Sequence, residues 1–204
     1  LVIIMFCFVT LNCFSQSFVN GDLDGLVSGS GSLPTDWLNV PNGDPNCMCI
    51  AGDSPDLTSV NGPGWIAVGA IGNPFSGNTF ISGLFVNATS SFSQEGIMQT
   101  VSGFTIGNEY SIRIRQTVVK QSNTIDNSGS WAVYIDTVLA GITIPTYSNE
   151  PFSSFSMPWE LRTVGFTATQ SAHLIKFLPM DDDTNYFISF TDTAGALRMG
   201  IDSI

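Results

Sequence analysis

Positive charge is what this chain has least of. Six Lys and Arg stand against seventeen Asp and Glu, a net charge of −11, and every cation lies between Arg113 and Arg198. Residues 17–112 carry eight carboxylates and no cation. Such a surface repels phosphate backbones and anionic lipids, which excludes nucleic-acid and membrane-surface binding as leading functions. Histidine is scarce as well. With His173 alone, a Ser or Cys nucleophile has one candidate base, and no Gly-x-Ser-x-Gly elbow, His-Glu-x-x-His motif or Gly-rich phosphate loop accompanies it. Internal repeats, heptads and amphipathic helical stretches are missing too, which excludes coiled coils and solenoids. Beyond the first sixteen residues only Cys47 and Cys49 remain of four cysteines. They read as two free thiols or a strained local bridge, since a metal site needs more ligands than one histidine adds.

What is present begins with a leader. Residues 1–16 carry no charge, with 1–9 continuously apolar and 12–16 small and polar. They read as the end of a secretory signal peptide, too short to span a bilayer. Cleavage after Gln16 is expected, with lipidation of Cys13 as the alternative. No basic n-region precedes Leu1 and an apolar strand pattern is still running at Ile204, so both ends read as clipped. Residues 17–204 suffice for one domain with a single core. Its acidic, Asp-rich loops suit a hard cation such as Ca²⁺, or plain solubility.

The remainder is all-β. The clearest strand spans 109–119, where Tyr110, Ile112, Ile114, Gln116 and Val118 alternate with Ser111, Arg113, Arg115 and Thr117, one face core and the other polar. A strand over 96–101 precedes it through a connection whose glycines, Gly103 and Gly107, tolerate positive φ. Residues 131–139 alternate with Trp131, Val133, Ile135 and Leu139 inward and Tyr134 and Asp136 outward. Further strands are expected over 65–71, 161–169, 172–178, 185–190 and 197–204, and long surface loops over 25–34 and 39–46.

Four segments carry a resemblance: Asn20-Gly21-Asp22-Leu23-Asp24, Pro34-Thr35-Asp36-Trp37, the run from Gln99 through Phe104 and Gly107 to Tyr110, and Gly200-Ile201-Asp202-Ser203-Ile204. Trp159 with Phe166-Thr167-Ala168-Thr169 adds a fifth. In order and spacing they resemble the galactose-binding-like jelly roll found in carbohydrate-binding modules of the xylan- and glucan-binding type and in secreted proteins of Bacteroidetes. Leu23 departs from the aromatic usual in that family, and Asp24 from its Glu. The resemblance implies a jelly-roll β-sandwich whose first and last strands meet, tied by a structural Ca²⁺ held by Asp24 and Asp202. It also implies a polysaccharide or glycan as partner.

Sugar binding needs aromatic faces for pyranose rings and amides, acids or guanidinium groups for hydroxyls. Trp131 and Trp37 read as core, whereas Trp65 and Trp159, each at a strand entrance after proline, are candidate rim contacts. A polar patch of Gln99, Arg113, Arg115 and Asp136 with Tyr134 as its floor is expected if their strands are neighbours. A cross-strand pair of Arg113 or Arg115 with Asp136 is the plainer alternative. His173, in phase with Ile175 and Phe177, reads as packed. The function expected is a non-catalytic, secreted or cell-surface carbohydrate-binding module of a larger protein. A structural or adhesive sandwich is the rival, followed by a hydrolase or lyase resting on Glu95, Glu109, Glu150 or Glu160.

Overall fold

The structure, a computed structural model, describes residues 16–49, 54–63, 72–88, 91–119, 127–148, 157–181 and 196–204. Trp65, the strands expected over 65–71 and 185–190, and Glu150 lie outside the described residues.

Among these residues the chain forms two antiparallel sheets and no helix, an all-β sandwich as the alternation predicts. The front sheet runs β1 (Leu38–Asn39), β6 (Ile97–Ser102), β12 (Ala172–Asp181), β8 (Ser128–Ile135), with β9 (Val138–Ile142) and β10 (Thr146–Tyr147) sharing the far edge of β8. The back sheet runs β11 (Glu160–Thr167), β7 (Glu109–Val118), β13 (Ala196–Asp202), β4 (Phe80–Ala88), β2 (Asp56–Ser59), β3 (Gly62–Pro63), with β5 (Ser91–Gln94) on β4. From β6 onward the chain passes back and forth between the sheets, so residues adjacent in sequence patterns face one another across the core. That core holds Trp131, Ile114, Phe85, Phe177, Met199 and Ile201, all nearly inaccessible to solvent.

The two ends of residues 17–204 meet, but only one is a strand. Ile204 N donates to Gly21 O at 2.9 Å. Residues 19–22 form turns, with Asn20 and Leu23 at φ 50 and 56, and the buried Leu23 takes the place expected for an aromatic. Trp37 is core, its indole N–H donating to Asn20 O at 3.0 Å.

The strand expected over 131–139 is two strands. Ile135 pairs with Val138 across a two-residue turn, Asp136-Thr137, in which Asp136 adopts φ 58. Aspartate tolerates this left-handed conformation better than most residues. Leu139 therefore lies exposed on the edge strand instead of inside.

Candidate functional site

The expected polar patch is not assembled. Arg113 and Arg115 face outward on β7 of the back sheet, whereas Tyr134 lies on β8 of the front sheet, so the sandwich separates them. Gln99 is buried between Ile97 and Val101 in the inward phase of β6. Its amide accepts from Val19 N at 2.8 Å and donates to Val19 O and Asp36 O at 2.9 and 3.1 Å, clamping the N-terminal segment. A buried amide must satisfy both its ends, and a passing backbone supplies them.

Tyr134 does face outward, but under residues 40–49. It packs with Met98, Met180 and Cys47 against Val40, Ala132 and Leu178. Burial, with the Asp44 carboxylate adding to it, pushes its phenol above the ordinary value. Cys47 and Cys49 are joined as a local disulfide, the second of the two readings the sequence left open.

Asp136 pairs with neither arginine. Its Oδ2 lies 2.7 Å from His173 Nδ1, and its Oδ1 accepts from Leu174 N at 2.9 Å. His173 Nε2 faces the amides of Thr169 and Gln170, both at 3.2 Å. Two N–H donors at Nε2 fix the tautomer, so Nδ1 carries the hydrogen and donates to Asp136. The histidine is thus packed, as its phase implies, and pins the β8–β9 turn to the β11–β12 turn.

Trp159 is a half-buried rim residue. Its indole N–H donates to Asn73 O at 2.9 Å, and its ring meets Phe80 edge-on at 5.3 Å.

Asp24 and Asp202 are brought to one loop, residues 72–79, but through hydrogen bonds. Asp202 Oδ2 accepts from Phe75 N and Ser76 N at 2.8 and 3.0 Å, and Oδ1 from Ser203 N at 2.7 Å. Asp24 Oδ1 accepts from Asn78 N at 2.8 Å and Thr79 N at 3.3 Å. Gly77, at φ 59, is required here because a Cβ would overlap the Asp24 carboxylate. Peptide N–H groups carry partial positive charge, so they perform the bridging expected of the ion. Calcium takes about six to eight oxygens, and among the described residues no group of three or more His, Cys, Asp or Glu converges anywhere. Burial, opposed by those three amides and reinforced by Asp22, raises the Asp202 carboxyl to about 6.

Among the described residues a concave region lies beside β7, and sequence reasoning did not assemble it. Tyr110 and Phe166 are register partners on β7 and β11. Their rings stack at 5.8 Å and 29°, and Phe104 from the β6–β7 turn meets both edge-on at 4.8 and 5.4 Å. Thr105 N donates to Tyr110 Oη at 2.9 Å, and Gly103 and Gly107, at φ 93 and 86, let the turn fold back over the pair. On its other side β7 has β13 as neighbour only from Arg115 to Val118, because β13 ends at Asp202. Beside the first half of β7 lies a cleft of about 520 Å³, with Phe18, Tyr110, Phe166 and Ile204 among its walls and Gln16, Glu109, Ser111 and Arg113 supplying polar groups. Two shallower depressions, about 410 and 330 Å³, share Phe166 with it, the first bordered by Asp136, Thr167, Thr169 and Gln170.

No protein-family model and no curated protein matches this chain. Its function is therefore read from the site.

Proposed function

We propose that this domain is a non-catalytic carbohydrate-binding module of an exported or cell-surface protein, and that the glycan seats in the cleft beside Tyr110 and Phe166. The cleft itself carries the reading. Its volume of about 520 Å³ falls within the roughly 300–1,000 Å³ usual for small-ligand sites. Aromatic walls suit the C–H faces of a pyranose, and Glu109, Ser111 and Arg113 supply acceptors and donors for hydroxyls. The resemblance to galactose-binding-like jelly rolls points the same way. Both nitrogens of His173 are engaged inside the fold, which supports binding over acid–base catalysis.

A structural or adhesive role is the second reading, favoured by one observation. Val138, Ile142 and Ile144 stand exposed along the β9–β10 edge of the front sheet, a row of apolar groups suited to protein contact.

Affinity electrophoresis of the purified protein through gels containing soluble polysaccharides decides between them. Retardation by at least one polysaccharide is expected, and it should be lost in Glu109→Ala, an exposed change that leaves the core alone. Unretarded migration through neutral, uronate-rich and sulfated gels alike would overturn the carbohydrate reading.

A further inference from the structure

The five cations among the described residues divide into two kinds. Lys176 is held by Asp44, Arg198 by Asp56, and Arg162 by Glu160. Lys120 lies outside the described residues. Arg113 and Arg115 have no carboxylate oxygen within 4.0 Å among the described residues. In a chain of net charge −11, carboxylates are abundant, and neutralising these two would need no unusual composition.

Their neighbours explain how they stay uncommitted. Two positions apart on β7, they share one face, about 7 Å from each other along the strand. Across β11 their register partners are Thr163 and Leu161, both neutral. Across β13 the partner of Arg115 is Asp202, but that carboxylate is turned to the amides of Phe75, Ser76 and Ser203. Phe75 then comes under Arg115, its ring centroid 4.2 Å from the guanidinium carbon. The ring steadies the side chain without cancelling its charge. Arg113 borders the cleft directly.

We propose that the glycan held by this cleft is acidic, and that Arg113 and Arg115 together receive its oxyanion, a uronate carboxylate or a sulfate ester. The proposal rests on the carbohydrate reading of the same cleft. Guanidinium forks match planar carboxylates and sulfate oxygens in pairs, and two of them on one strand face can converge on a single oxyanion. Glu109, at the other end of the exposed stretch of β7, is left to accept hydroxyls. The global negative charge works against acidic polymers, so retention by one is a local property of this face.

The test uses gels containing a neutral glucan, polygalacturonate or a sulfated galactan, with the wild-type protein, the Arg113→Ala/Arg115→Ala double variant and Glu109→Ala. Polygalacturonate or the sulfated galactan, whichever anion is preferred, should retard the wild-type protein more than the glucan. The double variant should lose about tenfold or more of that affinity, with an unchanged melting curve, and added salt should weaken binding of the wild type but hardly that of the double variant. Equal retardation of the double variant and wild type by acidic gels overturns this inference, as does retardation by the glucan alone. In both of those outcomes the carbohydrate reading survives. Absence of retardation in all three gels removes that reading and this inference with it.

Discussion

Lys176 and Arg113 occupy comparable places in the sandwich and have opposite fates. Each stands on the outer face of an interior strand, β12 between β6 and β8, β7 between β11 and β13. Over β12 the chain folds residues 40–49 as a lid. Val40 N donates to Gly96 O at 2.8 Å, Asn46 Nδ2 to Thr137 O at 2.9 Å and Met48 N to Gln94 Oε1 at 3.1 Å. Lys176 Nζ is left 2.9 and 2.7 Å from Asp44 Oδ1 and Oδ2 and 2.9 Å from Asn46 Oδ1, its side chain 3% exposed. On the outer face of β7 the Phe75 ring lies against Arg115, and Arg113 stays exposed. An outward cation is thus structural where a loop covers it and available to a ligand where none does. The strand alone does not distinguish the two cases.

The comparison is broken most severely at the ion pair whose carboxylate is the more deeply buried. Arg198 Nη1 lies 3.1 Å from Asp56 Oδ2 and 3.0 Å from Ser82 Oγ, with side-chain exposures of 4% and 3% for the ion pair. Arg198→Ala leaves a buried carboxylate whose other oxygen, among the described residues, has only Gly31 N as donor. A loss of about 3–5 kcal/mol in urea unfolding is expected, and a loss below 1 kcal/mol would mean that water reaches Asp56. Lys176→Met should cost less, about 2 kcal/mol. Asp44 sits nearer the surface, at 9% side-chain exposure, and keeps Asn46 N as a donor at 2.9 Å. Quenching of Tyr134 fluorescence by acrylamide should rise in this variant as residues 40–49 loosen.

Asp202 sharpens the contrast from the acidic side, as a buried carboxylate held by amides with no cation in contact among the described residues. Its folded value of about 6 lies above the unfolded one of about 3.9. The folded state therefore binds more protons between those values. Stability from this group is complete below about pH 4 and is lost as pH rises through about 6. The effect is on the order of 1–2 kcal/mol after allowance for solvent screening. Urea midpoints at pH 4.5 and 7.5 should show that decline in the wild type and a flatter profile in Asp202→Asn. A chelator should leave both midpoints in place, since amides already bridge the loop. A midpoint that falls on adding chelator would restore the calcium.

Strands β6, β7, β11, β12 and β13 were legible because each alternates between a core face and a second face of different character. The strand β4 was not, since Phe80, Ile81, Ser82 and Gly83 are buried in succession and leave no period of two to find. The hairpin at Asp136 escaped because its turn has no glycine and owes its geometry to His173, thirty-seven residues away. Gln99 read as outward for being polar, when its partners are backbone groups of a segment eighty residues earlier. The cleft was hidden for a related reason. Tyr110 has inward phase and read as core, and the cleft beside it is assembled from Phe18, the β6–β7 turn and β11, a fact of tertiary arrangement.

The smallest expected effect is the one that tests the comparison most directly. If Arg113 is held in reserve for a ligand, its removal should scarcely register in the free protein. Arg113→Ala should move the unfolding free energy by no more than about 0.5 kcal/mol. Arg115→Ala should cost slightly more, up to about 1 kcal/mol, because Phe75 loses a cation over its ring. Urea unfolding of the two variants beside Lys176→Met places all three on one scale. A penalty above 1.5 kcal/mol for Arg113→Ala would show that this side chain braces the fold, and the division between covered and available cations would then fail at the residue on which it depends most.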